Sequence, residues 1–167
     1  MRRRRPTSSR AFTLIELVLT LALMALLMAM VAPQLRGFGR GQRVENAADE
    51  FIAAAAYARS EAVVRCVPYR LEVTDDGTRL LVTTLDDTGE FLPVESRFGE
   101  GQTLPGDVTI SIEPLDGGSA DFVEFFPNNT LTPADAIVTG PDGKRVATLR
   151  AEGIADPFRR LSPQEAR

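Results

Sequence analysis

From Leu14 to Ala32 the chain is almost wholly apolar, interrupted only by Glu16 and Thr20. Its length is close to the roughly 20 residues that cross a bilayer core. Arg2, Arg3, Arg4, Arg5 and Arg10 precede it, with no acid among residues 1–11. By the positive-inside rule the N-terminus stays in the cytoplasm, and the chain after residue 33 lies across the membrane.

A secretory signal peptide shares this outline but needs small residues at a cleavage site after the apolar run. Met30 two before Ala32, and Pro33 directly after it, suit that poorly. Glu16 inside the run suits it worse. A plain anchor explains the arginines and leaves Glu16 without a role. A carboxylate in an apolar span costs roughly 2.5–3.5 kcal/mol when deep and less near the interface. Such an acid is a functional position by default, and its partner should be a nearby cation.

The segment Arg10-Ala11-Phe12-Thr13-Leu14-Ile15-Glu16-Leu17 resembles the type III signal of type IV pilins and pseudopilins. That resemblance implies cleavage between Ala11 and Phe12 by a prepilin peptidase on the cytoplasmic side. The apolar helix is then retained, and the new amine of Phe12 is N-methylated. Glu16 becomes the fifth residue of the mature protein and can neutralise that ammonium, its own or a neighbour's, which makes it the expected assembly residue. The family usually has glycine before the cut, and Ala11 is a small replacement. Pro33 falls where many pilins carry a helix-kinking proline; it also reads as the end of the membrane helix. The glycines Gly37, Gly39 and Gly41 favour local melting just beyond it.

From Gln42 to about Arg65, Val44, Ala47, Ala48, Phe51, Ile52, Ala55, Ala58, Ala62 and Val63 recur at spacings of three and four. Charged residues occupy much of the remainder. This predicts an amphipathic helix. Joined to the membrane segment it makes one helix of about 54 residues, roughly 80 Å if straight.

After Pro68 the period changes to two. Strands are expected at 69–74, 79–84, 108–112, 122–126, 136–139 and 145–150. The first two are joined through Asp75-Asp76-Gly77, and the last two through Pro141-Asp142-Gly143. Residues 89–106 read as loop. The expected fold is α+β and pilin-like: a long N-terminal helix, transmembrane then amphipathic, packed on antiparallel sheet. Its parts are a leader (1–11), a transmembrane segment (12–36), an amphipathic helix (37–66), a β-rich domain (67–156) and a flexible tail (157–167).

Ala58-Arg59-Ser60-Glu61-Ala62 and Phe125-Phe126-Pro127-Asn128-Asn129-Thr130 resemble stretches of the GspH/FimT family, the H-type minor pseudopilins and their FimT-like relatives. Asn129 stands where that family usually has glycine, so the turn calls for a left-handed asparagine. The resemblance implies a minor pseudopilin of type II secretion, a structural subunit that assembles into or caps a periplasmic pseudopilus driving protein export. Implied partners are the prepilin peptidase, other major and minor pseudopilins, the inner-membrane assembly platform and membrane lipid. The implied location is the inner membrane, single-pass, with the C-terminal domain periplasmic. The alternative is a FimT-like minor type IV pilin that binds DNA during uptake.

Charge bears on that choice. Five of the 19 basic residues lie in the leader; the remaining 14 against 23 acids give the mature chain a net charge of -9. Bulk electrostatics then oppose phosphate backbones. Lys144, Arg145, Arg150, Arg159 and Arg160 are the candidates for a local basic surface, interrupted by Glu152 and Asp156. DNA is therefore not expected as a partner.

No catalytic residue, cofactor or metal is expected. The chain has no histidine, so a Ser-His-Asp site at Ser60 or Ser162 is impossible. Asp75, Asp76, Asp86, Asp87 and the acids from Glu113 to Asp121 lie in glycine-containing stretches without EF-hand spacing and read as turn residues. The single cysteine, Cys66, can form no intrachain disulfide and is expected to be a buried small hydrophobe.

Overall fold

The computed structural model describes residues 13–74, 76–118, 120–153 and 158–162; within 30–40 only the backbone is described. The elements in chain order are α1 (Leu14–Arg65), β1 (Tyr69–Val73), β2 (Arg79–Leu85), β3 (Phe91–Pro93), β4 (Gln102–Thr103), β5 (Thr109–Pro114), β6 (Phe122–Phe125), β7 (Ala134–Thr139), β8 (Arg145–Ala151) and β9 (Arg159–Arg160). The chain forms two compact units, Met1–Gly39 and Arg40–Arg167, and α1 contributes to both.

In the first unit Thr13 starts α1. Its Oγ1 accepts the Glu16 N–H at 3.3 Å, and its carbonyl accepts the N–H groups of Glu16 and Leu17. This satisfies donors that the first helical turn would otherwise leave open. The large apolar side chains from Leu14 to Met28 are all more than half exposed. A contiguous exposed apolar surface of this size marks a site of interaction with another apolar surface. Among the described residues no helix is long and apolar enough to cross a membrane. The described side chains stop at Ala29, short of the end of the expected span at Ala32. Ala11 and Phe12 lie outside the described residues, and Pro33 lies where only the backbone is described. α1 runs unbroken through the glycines at 37, 39 and 41, where local melting was expected.

The second unit is built on one stripe of α1. Val44, Ala47, Ala48, Phe51, Ala54, Ala55, Ala58 and Ala62 are buried, at spacings that keep them on one helix face. Two antiparallel sheets cover that stripe. The first has the order β3-β2-β1-β6, with β4 also pairing β2; the second has the order β5-β7-β8-β9. Inward residues alternate along the strands, as the pleat requires. Tyr69, Leu71 and Val73 of β1 join Leu80 and Val82 of β2 and Val123 and Phe125 of β6. The second sheet adds Ile110 and Ile112, Ala136 and Val138, and Leu149 and Ala151 to the same core. β7 is buried on both faces: Asp135 and Ile137 point away from the helix and are still covered.

The helix packed on antiparallel sheet is thus the α+β architecture expected. Three further features of this unit differ from expectation. Residues 89–106, read as loop, contain β3 and β4; these strands are too short and too polar to show a period of two. Residues 158–162, read as flexible tail, carry structure. Phe158 enters the core edge-on to Phe51 at 5.0 Å, β9 pairs with β8, and Leu161 is buried. Here two apolar residues suffice because β8 offers an open edge.

Cys66 is the third difference. It is exposed, with φ 55°. Continuing the stripe by four residues from Ala62 would bury it, but α1 ends at Arg65. Cys66 takes the left-handed position that terminates the helix, which turns its side chain out of the stripe. A β-carbon in that region costs roughly 1–2 kcal/mol, and glycine returns part of the gain as unfolded-chain entropy. Cys66→Gly is therefore expected to stabilise the second unit by about 0.5–1 kcal/mol. Thermal unfolding checks this; an unchanged or lower midpoint contradicts it.

Candidate functional site

Two regions carry the residues singled out by sequence: the start of α1, and the contact between the last turns of α1 and the sheets.

At the first, Glu16 is exposed. It lies in the opening helical turn, three residues after the capping Thr13. Sequence reasoning weighed its carboxylate only as an assembly group and missed the cap, although Thr-x-x-Glu is a readable helix-start pattern. The two roles are compatible. The backbone N–H of Glu16 serves the cap, while its carboxylate stays open to an outside cation and favourably placed on the positive helix end.

At the second, two sequence stretches far apart in the chain meet. Arg59 Nε donates to Asn129 Oδ1 at 2.8 Å. Asn129 adopts φ 66°, the left-handed asparagine expected for this turn. The turn is braced by Asn128, whose Oδ1 accepts from the Thr130 N–H and hydroxyl. Phe126 N–H donates to the Thr130 carbonyl at 2.9 Å, and Asn129 N–H to the Phe126 carbonyl at 3.0 Å. Beside this contact runs an apolar groove of about 380 Å³, with Ile52, Val63 and Val64 on the helix side and Phe125, Leu131 and Phe158 opposite. Ile52, expected on the buried stripe, is half-buried and packs against the core as well as bordering the groove. Val63, expected on the same stripe, is exposed, as is Val64.

Of the acidic positions read as turn residues, Asp76 and Asp86 lie in turns, whereas Glu113 lies within β5. Asp76 Oδ1 accepts from the Thr74 hydroxyl and the Thr78 N–H. Asp86 accepts from the Thr88 hydroxyl and N–H and from the Glu90 N–H. These bonds, the threonine hydroxyls first, hold both carboxyls below the usual carboxylate range. Asp75 lies outside the described residues. Among the described residues no group of three or more His, Cys, Asp or Glu side chains is placed to hold a metal ion.

The candidate basic surface is largely neutralised by local pairing. Arg150 meets Asp135 through two bonds of 2.7 Å. Arg160 meets Glu45 at 2.6 Å, Arg159 meets Glu152 at 3.4 Å, and Arg145 meets Glu113 at 3.6 Å. Four of the five basic candidates therefore face a carboxylate within 4 Å, and the set presents little net positive charge to a phosphate chain.

Comparisons with known proteins agree with this geometry. Residues 47–153 match the family model described as type II transport protein GspH. Residues 6–32 match the prokaryotic N-terminal methylation motif. A search of curated proteins returns no match. Among solved structures, the minor pseudopilin EpsH of the Vibrio cholerae type 2 secretion system is similar with a TM-score of 0.60 at 13% identity, covering 74% of this chain and 98% of that one. The type IV minor pilin FimU of Pseudomonas aeruginosa is similar with a TM-score of 0.54 at 19% identity, covering 78% of this chain and 95% of that one. At such identities these likenesses speak to the fold.

Proposed function

The chain belongs to the family of type II transport protein GspH, and on that premise we propose that it works as a minor pseudopilin, a structural subunit of the type II secretion pseudopilus. The observation that carries this reading is the family match over 47–153 together with the methylation motif over 6–32. Neither half alone suffices, since the motif is shared by many pilins and the fold by type IV minor pilins.

In this reading the prepilin peptidase removes residues 1–11 and methylates the amine of Phe12. The apolar start of α1 stays in the inner membrane with lipid around it, and the Arg40–Arg167 unit stands in the periplasm. Glu16 draws the subunit into register with a neighbouring pseudopilin through that neighbour's terminal ammonium. Pro33 kinks the helix where it leaves the membrane. The work is assembly rather than catalysis, in contact with other pseudopilins and the inner-membrane platform.

The DNA-uptake alternative requires an open basic face. The pairing of Arg145, Arg150, Arg159 and Arg160 with Glu113, Asp135, Glu152 and Glu45 argues against one. A fragment beginning at Gly41 is expected to bind duplex DNA weakly or not at all at physiological salt, and to co-purify with the soluble domains of other minor pseudopilins. A DNA titration at two salt concentrations beside that pull-down checks both. Submicromolar, strongly salt-dependent DNA binding that is lost on replacing Lys144, Arg145 and Arg150 would favour the alternative.

A further inference from the structure

The outer edge of β5 is an open strand edge. In an antiparallel pair, alternate residues aim both backbone groups at the partner strand and the others aim theirs away. β5 pairs with β7 in the register Ile110↔Val138 and Ile112↔Ala136. Two bonds fix which residues point outward. Ile110 N–H donates away from β7 to the Gly77 carbonyl at 2.8 Å, and Leu115 N–H donates to Pro133, just before β7, at 3.0 Å. Thr109, Ser111 and Glu113 therefore serve β7, while Ile110, Ile112 and Pro114 face away.

Of these outward groups, Ile110 N–H is taken by Gly77, Pro114 has no N–H, and the Pro114 carbonyl accepts Gly117 N–H at 3.3 Å. The Ile110 carbonyl and both backbone groups of Ile112 remain, and among the described residues none of them makes a backbone hydrogen bond. They do not open onto a flat surface. They line a slot of about 280 Å³ between the two sheets, walled by Val73, Thr74, Asp76, Thr109, Ser111 and Asp121. Two carboxylates stand in that wall and no basic side chain does. Asp76 makes its turn bonds through Oδ1, which leaves Oδ2 open. The Asp121 side chain is exposed and borders the slot, while its backbone carbonyl accepts Val73 N–H.

We propose that this slot accepts an extended segment of another protein chain, paired to β5 at Ile112 and carrying a lysine or arginine against Asp121 and Asp76. The backbone of the segment supplies the donors and the acceptor that Ile110 and Ile112 lack, as in strand addition to a sheet edge. The cationic side chain supplies the charge complement and selects the segment. Pro114 limits the pairing to a short register and keeps the edge from templating longer aggregates. A second copy of this chain is the poorer occupant, since its mature net charge is -9.

The test uses the full chain in detergent micelles with two synthetic probes of equal β-propensity, Thr-Val-Lys-Val-Lys-Val-Thr and its counterpart with glutamate at both lysine positions. The expected result is binding of the lysine peptide, with amide exchange at Ile112 slowed at least tenfold and the glutamate peptide inert. Asp121→Lys preserves the backbone bond to Val73 and should weaken the lysine peptide by about fivefold or more, with Asp121→Asn between the two. An unchanged thermal midpoint of D121K verifies that its fold is intact. The proposal is overturned by failure of the lysine peptide to bind, by binding that leaves Ile112 exchange unaltered, or by equal binding of the glutamate peptide. Protection of Ile112 by self-association without peptide also overturns it, in favour of a second copy. Because the solubilised chain is tested alone, a negative result leaves the family assignment and the pseudopilin reading untouched.

Discussion

Phe51→Ala is expected to lower the unfolding free energy of the Arg40–Arg167 unit by about 3–5 kcal/mol. Phe51 is fully buried and is the largest side chain that α1 places in the core. Its ring meets Phe158 edge-on at 5.0 Å and 88°, which ties the end of the chain to the helix. The neighbouring buried helix residues are mostly alanines, so nothing nearby can move in to fill the space. A loss of this size is a large part of the 5–15 kcal/mol that holds a typical domain folded. Urea unfolding of a fragment beginning at Gly41 measures it. Phe158→Ala should show a smaller loss, since Phe158 is slightly exposed and sits at the border of the groove. A Phe51→Ala loss under about 1 kcal/mol would mean that the helix is not anchored through this ring.

Glu16→Ala is expected to leave processing intact and to reduce incorporation into the pseudopilus, and with it secretion, by roughly tenfold or more. Opposite charges in contact are worth about 4 kcal/mol at an effective dielectric near 20. The loss of a helix-end carboxylate by itself costs only about 0.3–1 kcal/mol. Glu16→Gln separates the two roles, because glutamine keeps the size and hydrogen-bonding capacity beside the Thr13 cap and removes only the charge. If pairing with a neighbour's ammonium governs assembly, Gln fails as Ala does; if the cap governs it, Gln behaves as wild type. Mass spectrometry of the membrane-extracted protein should find N-methylated Phe12 as the first residue in every variant. An intact Met1 terminus in a host with active prepilin peptidase would remove the basis of the pairing altogether.

Much of the architecture was legible because the hydrophobic pattern changes period at Pro68. Six strands were placed within about two residues of their ends, and the helix stripe from Val44 to Ala62 was found with Ala54 as its omission. Alanine carries little hydrophobic signal, so its burial is decided by phase more than by identity. The misplaced residues share a cause. Cys66 and Val63 are apolar, and a sequence pattern cannot show that a helix ends one residue too early or that a stripe borders a groove. Phe158 and β9 follow from the free edge of β8, a feature of the assembled sheet. The left-handed Asn129 was readable because asparagine, after glycine, is among the residues that most readily take that conformation, whereas its bond to Arg59 spans 70 residues and leaves no local mark. Of the candidate site, Glu16 stood out as an acid among apolar residues. The pairing of the C-terminal arginines did not, since it depends on which strands lie side by side.

The alanine-rich stripe of α1 has a consequence for how the helix finds its place. Alanine has no rotamers to freeze, so docking this face costs almost no side-chain entropy. The same smoothness gives the sheets little to grip. Phe51, the bulkiest fully buried side chain among these methyl groups, works as a locating pin, with Tyr57 against Phe98 as a second, partly buried one. Exchanges of Ala47, Ala54, Ala58 or Ala62 for valine would push the layers apart, because the surface admits no added volume. Drift in related chains at these four alanine positions should therefore be confined to residues no larger than alanine or serine.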